Sequence, residues 1–299
     1  YDLRRALAAF HRTDIQNIVV GEGIDGLLGY LARLMIEPGD TVVTSDGAYP
    51  TFNYHVAGFG GALHKIPYKD DREDLPSLIA RAGEVDAKLI YLANPDNPMG
   101  TWYEGAEIVA ALDHLPSGCL LVLDEAYVEL GPQGIAPPIN TSDDRVIRLR
   151  TFSKAYGMAG ARVGYAIGHK DLIGAFNRVR NHFGMSRVSQ AGALAALGDD
   201  DWLAKVQGQV QASREALYQI AEDNDLLSIE SATNFVAIDC GGTGDFAKLV
   251  LNGLIEQGVF VRMPFVAPQD RCIRISCGTP KDMKLVAKAL PVALGHARA

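Results

Sequence analysis

Basic side chains are scarce and scattered in this sequence: 28 Lys and Arg face 36 Asp and Glu, for a formal net charge of -8, and they form no run. That argues against a nucleic-acid groove as the main business, since binding by counterion release needs clustered positive charge. Cysteine is sparse too. Cys119, Cys240, Cys272 and Cys277 fall into no CxxC pair and no zinc spacing, so no metal centre is expected. Three of them lie in or beside apolar strand-like runs and read as reduced packing residues. No apolar run reaches the roughly 18 residues that a membrane span requires. No charged-then-apolar leader with a small-residue cleavage site opens the chain. The expectation is a soluble, cytoplasmic protein that engages neither membrane nor nucleic acid. Internal repeats and low-complexity segments are also missing, and Gly131–Thr141, with its three prolines, is the one long irregular loop.

What is present is a globular composition, with 48% hydrophobic and 21% charged residues and a mean hydropathy of +0.04. A chain of 299 residues lies between one large domain and two ordinary ones. It begins at Tyr1, without Met, in a helix-like stretch Asp2–His11 whose Leu3, Ala6, Leu7 and Phe10 share a face, so an N-terminal piece is expected to be missing. From Ile15 to Ile167 strand-like and helix-like segments alternate. Strands are expected at Asn17–Val20, Thr41–Ser45, Ala62–Ile66, Lys88–Leu92, Cys119–Leu123, Val146–Arg150 and Arg162–Ile167. Helices are expected at Asp25–Ile36, Tyr49–Ala57, Leu75–Ala82 and Glu104–Leu115, each stopped by Pro or Gly. This is the pattern of an α/β fold, a mostly parallel seven-stranded sheet sandwiched by helices. A helical connector follows at Leu172–His182, Ser186–Leu197 and Asp201–Ala221. Short strands at Leu227–Glu230, Asn234–Asp239, Val259–Arg262 and Cys272–Ser276, with helices at Gly244–Gln257 and Lys281–Leu294, complete a smaller α+β domain. The expected division is a large domain at 13–182 and the connector with the small C-terminal domain at 183–299, the 1–12 helix associating with the latter.

Four stretches carry chemistry. In Thr151-Phe152-Ser153-Lys154-Ala155-Tyr156-Gly157-Met158-Ala159-Gly160-Ala161-Arg162, a strand ends in two hydroxyls, a lysine and, eight positions on, an arginine. A lysine amine condenses with an aldehyde to a Schiff base, and two hydroxyls with a guanidinium hold a phosphate; pyridoxal phosphate needs both. A surface lysine in a small-residue loop is the plainer alternative. Gly21-Glu22-Gly23-Ile24-Asp25-Gly26 turns from a strand into a helix and offers an anion free backbone N–H groups. It also satisfies GxGxxG, with Asp46 ending the next strand where a dinucleotide enzyme keeps its ribose-binding acid, so that reading stays open here. Asn94-Pro95-Asp96-Asn97-Pro98-Met99-Gly100 is a turn that leaves the Asn97 amide free to donate, or only a structural turn. In Val122-Leu123-Asp124-Glu125-Ala126-Tyr127 an apolar strand ends in a carboxylate that needs a cationic partner. A pyridinium would suit, and Tyr127 could reach the same ring.

Together with Cys272-Ile273-Arg274-Ile275-Ser276-Cys277-Gly278-Thr279, these stretches resemble the fold-type I, pyridoxal-phosphate-dependent aminotransferases of class I/II, within them the histidinol-phosphate aminotransferase-like branch. The resemblance covers nearly the whole chain. It implies that Lys154 is the Schiff-base lysine, with Thr151, Ser153, Arg162 and the Glu22-Gly23 backbone around the cofactor phosphate. Asp124 resembles the partner of the pyridine nitrogen, Asn97 and Tyr127 the pair on the ring hydroxyl oxygen, and Tyr49 the aromatic covering the ring face. Arg274 resembles the arginine that takes the α-carboxylate. For histidinol phosphate a second anion site is needed, and Arg262, after Val259-Phe260-Val261, is placed for it. The segment His182–Arg187 departs from the aromatic- and Asn-rich segment of the strict histidine-pathway enzymes; Arg187 would serve another polar substrate or cap its helix. A homodimer is implied as well.

The expected activity is amino-group transfer between an amino acid or histidinol phosphate and a 2-oxo acid such as 2-oxoglutarate. Asp124 would keep the ring cationic, Lys154 would carry the Cα proton as general acid/base, and Tyr127 would act beside them. Three alternatives remain at this point. They are a decarboxylase of the threonine-phosphate type, an aromatic amino acid aminotransferase, and a sensing domain of a regulator. The last would need a DNA-binding module, and no basic helix-turn-helix segment is visible.

Overall fold

The computed structural model describes residues 1–298 and sets seven strands in one sheet. They are β1 (Ile18–Gly21), β2 (Thr41–Ser45), β3 (Ala62–Ile66), β4 (Leu89–Ala93), β5 (Leu120–Asp124), β6 (Val146–Thr151) and β7 (Gly164–Ile167), in the spatial order β1-β7-β6-β5-β4-β2-β3. Only β7 runs against the others. Every residue of β4 and β5 is buried, as a parallel strand must be when helices cover both its faces.

The helices are α1 (Asp2–Phe10), α2 (Gly23–Met35), α3 (Thr51–Gly58), α4 (Leu75–Glu84), α5 (Gly105–Leu112), α6 (Lys170–Ala175), α7 (Arg187–Leu197), α8 (Asp200–Glu222), α9 (Gly244–Glu256) and α10 (Pro280–Arg298). Leu27, Leu28 and Leu31 of α2, with Phe52 and Val56 of α3, cover one face of the sheet. Leu75, Leu78 and Ile79 of α4 and Ile108 of α5 cover the other. Helices α4 and α5 start at side-chain caps, whereas α2 begins two residues before the expected Asp25 and α3 two residues after the expected Tyr49. Asp74 accepts a hydrogen bond from the Ser77 N–H ahead of α4, and Glu104 with Glu107 forms a capping box at α5. Helix α1 packs through Leu3 and Leu7 on β1, β7 and α7.

The C-terminal region builds a second, antiparallel sheet from β8 (Leu227–Ser228), β9 (Phe235–Asp239) and β10 (Cys272–Ser276), covered by α8, α9 and α10. Three expected elements differ. The strand expected at Val259–Arg262 is reduced to one bridge, Arg262 with Arg274; Pro264, two residues on, has no N–H to continue a ladder. Leu227–Glu230 is likewise a two-residue strand. The helix expected at Leu172–His182 stops at Ala175 and tightens into a short turn, Phe176–Arg178, where the Asn177 side chain donates to the Gly174 carbonyl and competes with the helical ladder.

Because six strands are parallel, their carboxyl ends, Gly21, Ser45, Ala93, Asp124 and Thr151 among them, share one edge of the sheet. Ligands of open α/β sheets bind at that edge.

Candidate active site

One cavity at that edge is lined by Tyr49, Tyr91, Asn97, Asp124, Tyr127, Thr151, Ser153, Lys154 and Arg162, together with the first turn of α2. Its floor is Asp124, the last residue of β5, only 5% exposed. The Tyr91 hydroxyl donates to Asp124 Oδ2 at 2.7 Å and the Ala126 N–H to Oδ1 at 3.0 Å. Burial pushes the carboxyl up to about 6, against those two hydrogen bonds and the positive charge of Lys154. The cationic partner that a buried carboxylate demands is therefore not supplied in contact by the described residues. A ligand with a basic ring nitrogen would supply it.

At the opposite end the chain offers the reverse. Helix α2 begins at Gly23 with no side chain capping it, so its first N–H groups point to the cavity. The Thr151 and Ser153 hydroxyls lie 2.9 Å apart, and Arg162 Nη1 donates to Ser153 Oγ at 3.3 Å. Gly23 has φ +82°, and a Cβ on it would lie 2.4 Å from Arg162 Nη2, so only glycine lets the guanidinium pass over the helix end. This is the donor set of a phosphate site. Gly23→Ala is expected to weaken binding of a phosphate-bearing cofactor at least about tenfold and to cost about 1–2 kcal/mol in stability through the left-handed backbone. Cofactor titration and thermal melting read both; unchanged affinity would remove the phosphate from this place.

Lys154 stands between the two ends, half-buried, with Nζ 4.9 Å from the centre of the Tyr127 ring. Tyr127 is buried and packs edge-on to Phe235. Asn97 accepts a hydrogen bond from Arg274 through Oδ1, which leaves its Nδ2 free to donate into the cavity. Arg274 alternates with Ile273 and Ile275 along β10: the isoleucines enter the core of the small sheet while the guanidinium lies over the Phe235 ring and reaches the site. Burial lowers the Arg274 pKa from its ordinary value, and Arg262 lowers it further, while Tyr127, Asp96 and Tyr49 raise it. Tyr49 is 45% exposed at the mouth.

The Glu22 side chain accepts from the Tyr30 hydroxyl at 2.9 Å, so what Glu22 offers at the start of α2 is the backbone, as expected from the sequence. Arg262 is exposed, does not line the cavity, and meets Arg274 through backbone hydrogen bonds. Arg187 does not cap its helix; Ser186 does, accepting from the Ser189 N–H at 3.0 Å. The dinucleotide alternative fails on topology, since β1 and β2 are separated by four strands and Asp46 pairs with Lys65 at 3.3 Å.

Sequence reasoning missed Tyr91 and the set Arg148, Glu125 and Arg150. Glu125, 1% exposed, accepts from Arg148 Nε at 3.0 Å and from Arg150 Nε at 2.8 Å, which fixes the turn carrying Asp124 and Tyr127. The two arginines sit on alternate positions of β6, on the face opposite Ile147 and Leu149. In the sequence they look like the solvent side of a strand.

The family described as aminotransferase class I and II matches residues 1–290. Histidinol-phosphate aminotransferase 2 of Carboxydothermus hydrogenoformans is 34% identical over 97% of this chain and 82% of its own length. Histidinol-phosphate aminotransferase 1 of Psychrobacter arcticus is 35% identical over 96% of this chain and 76% of its own. The solved structure of histidinol-phosphate aminotransferase from Sinorhizobium meliloti in complex with pyridoxal-5'-phosphate superposes with a TM-score of 0.96 at 52% identity, covering 98% of this chain and 81% of that one.

Proposed function

We propose that this chain, which belongs to the class I and II aminotransferases, is a pyridoxal-phosphate-dependent aminotransferase that takes its amino group from histidinol phosphate and gives it to a 2-oxo acid such as 2-oxoglutarate. The observation that carries the donor is the 52% identity to a histidinol-phosphate aminotransferase over nearly the whole chain. The relatives described above are named aminotransferases, so the decarboxylase alternative is not favoured.

Pyridoxal phosphate supplies, when bound, an aldehyde to carry the amino group and a ring that accepts the electron pair released at the substrate carbon. Arg162, Thr151, Ser153 and the start of α2 hold the phosphate. Asp124 holds a proton at the pyridine nitrogen, because a charge-assisted hydrogen bond there satisfies a carboxylate that is otherwise buried without a cation. Asn97 Nδ2 and the Tyr127 hydroxyl would hold the ring hydroxyl oxygen, and Tyr49, at the cavity mouth, would shield the ring. Lys154, between the anionic floor and the cationic rim, would be the general acid/base that takes up and gives back the proton of the substrate carbon. Arg274 would grip the α-carboxylate of the acceptor and so fix its orientation in the site.

In this reading the enzyme is a cytoplasmic homodimer. Support for a partner subunit comes from large apolar side chains left open to solvent: Tyr54 is 68% exposed, Phe183 98% and Phe265 90%. A screen of histidinol phosphate and aromatic amino acids against 2-oxoglutarate, on a preparation whose mass is read by sedimentation, tests the proposal. The highest kcat/KM is expected for histidinol phosphate, in a particle of two chains. A flat profile across donors, or a preference for an aromatic amino acid, would reassign the substrate.

A further inference from the structure

Tyr91 lies at the centre of β4, fully buried in a strand whose other members are Leu, Ile and Ala. Phenylalanine would fill that volume without requiring a hydrogen-bond partner. The ring is fixed by stacking on Phe52, with centroids 4.8 Å apart and planes at 15°, which aims the hydroxyl at the cavity floor. There it donates to Asp124 Oδ2 at 2.7 Å while the Ala126 N–H holds Oδ1 at 3.0 Å. Each carboxylate oxygen is thus tied once on the protein side and keeps lone-pair capacity toward the cavity.

We propose that Tyr91 is a positioning residue for the reaction: its hydroxyl orients the Asp124 carboxylate and keeps it anionic, so that the proton shared with the cofactor rests on the pyridine nitrogen. The inference rests on the pyridoxal phosphate reading above. A donor to one oxygen lowers the proton affinity of the whole carboxylate. When a carboxylate and a ring nitrogen share one proton, that lowering moves the proton toward the ring, which is where it makes the ring an electron sink. Tyr91 is suited to this because it keeps its proton and an ionised Asp124 can only accept it; burial and the adjacent Asp124 push its own titration well above the usual tyrosine range. The other charges around the pair are Lys154 and Glu125 beside Asp124, and Glu73 and Asp96 behind Tyr91. Glu73 and Asp96 have donors of their own, Ser45 Oγ at 2.5 Å and Tyr68 Oη at 2.8 Å, so neither competes for the Tyr91 hydroxyl.

The test is the Tyr91→Phe holoenzyme loaded with cofactor carrying 15N at the ring nitrogen. In the parent enzyme the 15N resonance at neutral pH is expected at the pyridinium position. In Tyr91→Phe it moves toward neutral pyridine, corresponding to about a tenfold shift of the proton toward Asp124, the size expected for one lost hydrogen bond to a charged group. The same variant is expected to lose about tenfold in kcat with KM for the amino donor unchanged within about twofold, and to melt close to the parent because the stacked ring remains. A fall in kcat without movement of the 15N resonance would reduce Tyr91 to packing and overturn the proposal. So would a parent resonance already at the neutral position. Failure of the parent to bind the cofactor at all would sink the functional reading, and this inference with it.

Discussion

Lys154→Ala is expected to abolish turnover, by about 10⁴-fold or more, while still taking up the cofactor. The loss is large because one amine performs two tasks. Among the described residues it is the only lysine lining the cavity, so no other ammonium there can bond the cofactor's aldehyde, and it is the group placed to carry the proton at the substrate carbon. General acid/base action alone is worth about 10²–10⁴-fold. Uptake persists because the phosphate end, Arg162 with Thr151, Ser153 and the start of α2, and the nitrogen end at Asp124 do not depend on the amine. Borohydride followed by mass spectrometry reads the covalent link. The parent is expected to gain the mass of the reduced cofactor on the peptide containing Lys154, and the variant to gain nothing. Turnover above about 1% of the parent, or a label on another lysine, would remove Lys154 from the chemistry.

The residues that sequence reasoning found and the ones it missed differ in one physical respect. Asp124 stood out because a carboxylate ends a run of Leu and Val, and Lys154 because hydroxyls, glycines and an arginine surround it. Both violate the local pattern, and such violations mark sites. Tyr91 violates nothing: a tyrosine is at home in a buried strand, and only the folded chain shows its hydroxyl facing Asp124, 33 positions away. Arg148 and Arg150 were hidden for a related reason. Polar residues alternating with Ile147 and Leu149 look like a solvated strand face, whereas here that face is closed over the buried Glu125. The sheet was legible because seven apolar segments separated by helical periodicity admit few packings. Its order was not, since the placement of β1 at one edge beside β7, rather than next to β2, is a long-range fact. The strand expected at Val259–Arg262 failed on edge pairing, where Pro264 and the exposed Phe260 weigh more than the apolar pattern.

Asp124→Ala is expected to keep part of its cofactor affinity and lose about 10²–10³-fold in kcat, the scale seen when one preorganised electrostatic contact to the reacting charge is removed. The companion effect is on pH. In the free protein the Asp124 carboxyl sits at about 6, above the ordinary aspartate value of 3.8. A raised folded-state value means that folding favours the protonated form. The stability it contributes is present below about pH 3.8 and is lost as pH rises through about 6, amounting to about 3 kcal/mol. At neutral pH the buried Asp124 is therefore an anion that costs stability, and a pyridinium beside it would offset that cost. Cofactor affinity should then follow the ionised fraction, falling by up to about tenfold per unit as pH drops below 6, because a proton must leave Asp124 before the ring nitrogen can bring its own. In Asp124→Ala that dependence disappears, leaving only the titration of the cofactor phosphate that both proteins share. Cofactor titrations of the two proteins from pH 5 to 8, plotted as the ratio of their dissociation constants, isolate the carboxylate. A ratio that stays level across that range would mean that the ring nitrogen is held somewhere other than at Asp124.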